Sequence, residues 1–142
     1  MEKQELENIR KVLETGWDAK TTFETQPMPT DTISQGQCYV TARTLSNKYG
    51  WALVRYKKDG WNHYWNVLLD GTEVDLTSDQ CGGDGIYPTD EYRGKGKKML
   101  FKPLVNVKSP NKRLKLFLNR IWYKLPSIHS PDSSSVVSLG DD

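Results

Sequence analysis

The chain has 142 residues, 36% hydrophobic and 11% aromatic, with a formal net charge of +2. That length fits one domain with a single modest core, to which five Trp and seven Tyr bring large, shape-specific burial. No run of about 18 apolar residues occurs, and the opening "MEKQELENIRK" is too charged for the apolar stretch of a secretory signal. The expectation is therefore a cytoplasmic protein without a membrane span, its thiols reduced.

In chain order, "QELENIRKVLETGW" spaces Leu6, Ile9, Val12 and Leu13 as one face of an amphipathic helix, with Gly16 as its stop. Residues 18–35, with Pro27, Pro29 and many Thr, read as a long irregular approach to Cys38, a length unusual for a loop without a task. From Cys38 the pattern is helical again: Cys38, Ala42, Leu45 and Tyr49 share a face, and Gly50 is placed to cap the C-terminus in the left-handed conformation. Three strands follow, "WALVRYK", "WNHYWNVLL" and "TEVDL", separated by the turns "KDGW" and Asp70-Gly71. Residues 77–97 read as an extended loop, "KMLF" as a short strand and "SPNKRLKLFLNRIWYKL" as a second strong helix with Leu114, Phe117, Leu118 and Ile121 on one side. Residues 126–142 have the composition of a disordered tail, which leaves 1–125 as the single domain.

The small net charge hides an asymmetry. Residues 1–92 carry nine Lys/Arg and fifteen Asp/Glu, whereas residues 93–124 carry eleven Lys/Arg and no acidic residue. A basic block of this kind is ordinarily a solvated face, but it also offers a surface for an acidic substrate or a polyanion such as nucleic acid. With two cysteines far apart, Cys38 and Cys81, and no dense Cys/His cluster, neither a structural zinc site nor any other metal or cofactor is expected.

Chemistry concentrates around Cys38, which the helical pattern puts in the first turn. There the helix dipole and free N–H groups favour a thiolate, and those same N–H groups can receive the oxyanion of a tetrahedral intermediate. His63 on the second strand and Asp75 on the third supply the base and the orienting carboxylate such a thiol requires, provided they meet. Facing residues of an antiparallel pair have a constant sum of residue numbers, and side chains share a face only when that sum is even. A two-residue Asp70-Gly71 turn pairs Leu69 with Thr72 and puts His63 and Asp75 on opposite faces. A three-residue loop, Leu69-Asp70-Gly71 with Gly71 left-handed in a bulge, pairs Leu68 with Thr72; Asp75 then faces Trp65, with His63 its diagonal neighbour. The sequence suits both turns, and only the second is compatible with a triad.

"GQCYVTA", "HYWN" and "DGTEVDLT" resemble the signatures of the YunG-like family of small bacterial and phage proteins. "GWDAKTT" matches an upstream Trp motif and "NKRLKLFL" a C-terminal helix, so the similarity spans about residues 12–125. The order Cys, His, Asp also resembles the papain-like fold of transglutaminase-like proteins, arylamine acetyltransferases and small cysteine peptidases. The resemblance implies an α+β, papain-like core in which a helix bearing Cys at its N-terminus packs on a small antiparallel sheet. It assigns Cys38 as nucleophile, His63 as general base and acid and Asp75 as orienting carboxylate. By the same analogy an upstream Gln side chain or Trp indole completes the oxyanion site, which makes Gln35, Gln37 and Trp17 candidates, with Trp65 beside the substrate. The chain departs from the family's pattern at "DLTSDQC", where an aromatic residue is expected in place of Cys81. The implied activity is thiol-dependent hydrolysis or acyl transfer on a protein, peptide or small-molecule acyl substrate. A catalytically silent scaffold, or a polyanion-binding module using residues 93–124, is the alternative.

Overall fold

The structure, a computed structural model, describes residues 1–22, 32–100 and 112–128. Helix α1 (Lys3–Glu14) starts at a capping box in which Glu2 and Glu5 satisfy each other's backbone N–H groups, and it buries Leu6, Ile9 and Leu13. Helix α2 (Cys38–Tyr49) buries Cys38, Ala42, Leu45 and Tyr49 as their spacing predicts, and it ends at Gly50 with φ 75°. Strands β1 (Ala52–Lys58) and β2 (Trp61–Val67) form a hairpin whose Asp59-Gly60 turn has φ 50° and 87°. Two successive positive φ values give the turn the twist that a tight hairpin needs. Strand β3 (Glu73–Val74) and strand β4 (Lys97–Met99) flank the hairpin in the antiparallel order β3-β2-β1-β4. Helix α3 (Lys112–Ile121) continues as a 3-10 turn through Lys124. This is the α+β class expected, three helices with a small antiparallel sheet.

The register of β2 with β3 decides the site. Asn66 faces Val74 and Val67 faces Glu73, so the sum is even and the connection is the three-residue loop. Leu68 N–H donates to Thr72 O at 2.8 Å and Gly71 has φ 91°, the bulge conformation. Alternation then assigns two faces. Leu53, Asn66, Leu68 and Val74 turn towards the helices, where the main core gathers Leu6, Ile9, Leu45, Phe117 and Ile121 among others. The Asn66 amide, 2% exposed, ties β2 to α2 by donating to Ala42 O at 2.9 Å. Val54, Tyr56, Trp61, His63 and Trp65 occupy the opposite face. The segment between β3 and β4 covers that face with Tyr92 and Cys81, making a second, aromatic cluster.

That covering segment, read from sequence as an extended loop, contains a 3-10 turn at Ser78–Cys81. The proposed tail does not begin at 126: Pro126 O accepts a hydrogen bond from Tyr49 and Ile128 is buried in the main core. The remaining tail residues, 129–142, lie outside the described residues, as do 23–31 of the approach to Cys38 and 101–111 of the basic block. Among the described residues, no helix is long and apolar enough to cross a membrane.

Candidate active site

Because β3 stops at Val74, the chain leaves the sheet at Asp75, which the register sets level with Trp65 and diagonal to His63. His63 Nε2 meets Asp75 Oδ2 at 2.6 Å, with the two side chains 0% and 1% exposed. Since a carboxylate oxygen accepts, Nε2 carries the proton and Nδ1 is turned the other way. Asp75 is itself held: Oδ1 accepts from Thr77 N–H and Thr77 Oγ1–H, both at 3.2 Å, and its backbone N–H donates to Ile86 O. The imidazole stacks on Trp65 at a 5.5 Å centroid separation and packs against Tyr92 at 4.8 Å.

On the side away from Asp75, Cys81 Sγ lies 3.9 Å from Nδ1. Cys38 Sγ is 3.9 Å from the Asn62 carbonyl, so the first turn of α2 approaches β2 at the residue preceding His63. Burial by itself pushes the His63 pKa down. The Asp75 charge and hydrogen bond, with smaller contributions from the two thiols, outweigh it and hold the ring well above the ordinary histidine value. Burial, then Cys81, raises the Tyr92 hydroxyl above the usual tyrosine range.

The N-terminus of α2 has no side-chain cap, so the first N–H groups of the helix, that of Cys38 among them, have no partner within the helix. The proposed oxyanion donors fare differently. Gln37 is buried, but its amide nitrogen donates to Asp18 O at 2.9 Å and Thr22 Oγ1 at 3.0 Å, while its oxygen accepts from Thr21. It tethers residues 18–22 to the helix start and has no donor left over. Trp17 Nε1 is likewise committed, to Thr41 at 2.9 Å, and Trp65 Nε1 to Glu73 at 3.0 Å. The donors of Gln37 and Trp17, expected to serve the oxyanion, are thus engaged within the fold, as is the indole N–H of Trp65, expected beside the substrate. Gln35, half-buried in the turn before α2, is the candidate whose side-chain amide has no hydrogen bond among the described residues.

Several site residues escaped the sequence reading. The 3-10 turn sends successive side chains to successive parts of the site. Asp79 accepts from Ser34 at 2.7 Å and pairs through both oxygens with Arg10 of α1, at 2.9 and 3.1 Å. Gln80 accepts the Gly36 N–H at 3.3 Å, and Cys81 reaches His63. The turn thus clamps the lead-in to Cys38 while delivering a second thiol. Only the Gly-rich "QCGGDG" hinted at special backbone there. A cleft of about 290 Å³, lined by Lys58, Asp59, Trp61, Cys81, Glu91 and Tyr92, opens onto Cys81. Cys38 is 7% exposed. Among the described residues no group of His, Cys, Asp and Glu is arranged to hold a metal ion. The described parts of the basic block are largely solvated, though several of its cations have local partners, among them Arg93 with Asp90, Lys95 over the Tyr56 ring, and Arg120 with Asp18 and Gly16 O.

The family model of the YunG protein matches residues 5–102, which is most of the chain and contains all three site residues. The match starts earlier than the motifs alone place it and ends before α3. No curated protein and no solved structure is significantly similar to the chain. The chain belongs to the YunG family.

Proposed function

We propose that this YunG-family protein is a thiol-dependent hydrolase or acyltransferase of papain-like design, with Cys38 as nucleophile, His63 as general base and acid, and Asp75 as the carboxylate that orients the ring. The observation that carries the reading is the buried 2.6 Å contact of His63 Nε2 with Asp75, which leaves Nδ1 for the thiol side. A solvated ion pair on a surface needs no such arrangement, and Cys38 is brought by the first turn of α2 to within 3.9 Å of the carbonyl of the residue preceding the ring.

In the proposed cycle His63 Nδ1 takes the Cys38 proton, and the resulting imidazolium is held by Asp75. The sulfur attacks an amide, ester or isopeptide carbonyl; the C–S bond forms and the carbonyl electrons move to oxygen. That oxyanion lies at the N-terminus of α2, where the Cys38 N–H and, by position, the Gln35 amide are the available donors. Collapse expels the amine or alcohol, which takes the proton from His63, and leaves a thioester on Cys38. Water or a second amine, deprotonated by the same Nδ1, then releases the acyl group. Hydrolysis, deamidation and transamidation differ only in that last acceptor, and an acidic substrate is the class the basic block would favour.

The test uses Cys81→Ser protein, so that one thiol reports. Iodoacetamide should alkylate Cys38 readily at neutral pH, and His63→Gln in the same background should slow the reaction at least about tenfold, by loss of the imidazolium that stabilises a thiolate. Equal rates with and without His63 would remove the basis for the mechanism.

A further inference from the structure

The acyl cycle leaves one sulfur at the centre without a role. Cys81 closes the 3-10 turn, its Sγ 3.9 Å from His63 Nδ1, while Cys38 Sγ lies 3.9 Å from the carbonyl of Asn62, the residue just before that histidine. Both are free thiols. They differ in access: Cys81 is half-buried and lines the 290 Å³ cleft beside Trp61 and Tyr92, whereas Cys38 is 7% exposed. A small reagent entering the cleft therefore meets Cys81 first.

We propose that Cys81 and Cys38 form a redox-active dithiol, in which a hydroperoxide oxidises Cys81 and Cys38 then resolves it to an intrachain disulfide. In the first step the Cys81 thiolate attacks a peroxide oxygen. The S–O bond forms, the O–O bond breaks, and the departing alkoxide or hydroxide takes the proton held by His63. Cys81 is then a sulfenic acid. In the second step the Cys38 thiolate attacks the Cys81 sulfur and displaces hydroxide, which leaves as water. Two thiols and one hydroperoxide thus give one disulfide, one alcohol (water, for hydrogen peroxide) and one water. The disulfide takes Cys38 out of reach of any acyl substrate until a dithiol reductant restores it. Nothing in these steps requires an acyl substrate, so the proposal and the acyl-transfer reading can fail separately.

The experiment treats the reduced full-length protein with one equivalent of hydrogen peroxide, quenches with N-ethylmaleimide and reads the intact mass. Alkylatable thiols should fall from two per chain to none, and dithiothreitol should restore both. Proteolysis should yield a linked peptide pair containing residues 38 and 81. In Cys38→Ser the reaction should stop at a sulfenic acid on Cys81, trapped by dimedone. Two alkylatable thiols persisting in the wild type, a disulfide only between chains, or a dimedone adduct confined to Cys38 in the wild type would each overturn the proposal. The wild-type thiol count decides the matter even where a variant fails to fold, and it is independent of whether Cys38 performs acyl chemistry.

Discussion

Replacing Asp75 by Asn alters one charge in the best-defined contact of the molecule and almost nothing of its shape. The amide oxygen can keep the 3.2 Å hydrogen bonds from Thr77, which turns the NH₂ towards His63 Nε2. The ring must then accept at Nε2 and carry its proton on Nδ1, facing the thiols. Leaving a buried imidazolium without its counter-ion costs about 3–5 kcal/mol. The ring avoids the full cost by shedding its proton, so the deficit depends on pH. In the wild type the folded His63 pKa lies well above the unfolded value of 6.5. Its stabilising contribution is complete below pH 6.5 and is lost as pH rises through the folded value. In Asp75→Asn burial, the largest influence on the ring, is opposed only by the two thiols, so the folded pKa drops below the unfolded one. Folding is then penalised at low pH and relieved as pH rises. The wild type should exceed the variant by about 3–5 kcal/mol near pH 6, narrowing in alkali towards about 1 kcal/mol, the difference between a charged and a neutral hydrogen bond. Urea unfolding followed by tryptophan fluorescence from pH 6 to 10 measures this. Parallel stability curves for the two proteins would refute the charged His63–Asp75 pair.

Three further substitutions probe the scaffold around the site. Gly71→Ala places a side chain at φ 91° with no neighbour within 4 Å, so its cost should be backbone strain alone, about 1–2 kcal/mol in urea unfolding. Gln37→Ala removes three hydrogen bonds at the start of α2 and should cost about 2–4 kcal/mol. If its role is to tether and not to donate to an oxyanion, the folded variant should keep the neutral-pH alkylation of Cys38. Gly16→Ala would bring a Cβ to 2.6 Å from Ile121 and 2.9 Å from Phe117, so overpacking of α3 against the end of α1 should lower stability by about 1–3 kcal/mol.

The parts of this molecule that could be read from the sequence are those dictated by neighbours along the chain. The face of α2 follows from Cys38, Ala42, Leu45 and Tyr49, its end from Gly50, and the hairpin from Asp59-Gly60. For the β2–β3 register the sequence allows two choices, because both turns suit Asp70-Gly71. What selects between them is burial: the even register carries Leu68 and Val74, 3% and 0% exposed, into the main core together. The roles of Gln37, Trp17 and Trp65 were not legible. A donor's usefulness depends on which acceptor it meets, and Thr22, Thr41 and Glu73 are brought to them by folding. The same holds for Asp79 and Gln80, whose partners Arg10, Ser34 and Gly36 lie 69, 45 and 44 residues away.

Those separations bear on how the protein assembles itself. The hairpin that carries His63 closes locally and can form early, whereas the turn at Ser78–Cys81 docks only after long stretches of chain have been gathered in. Until it docks, the loop leading to Cys38 is unclamped and no sulfur stands beside the ring from that side. A nascent or partly unravelled molecule therefore presents an ordinary strand histidine and two ordinary thiols, and the ensemble gains its chemistry in the closing step.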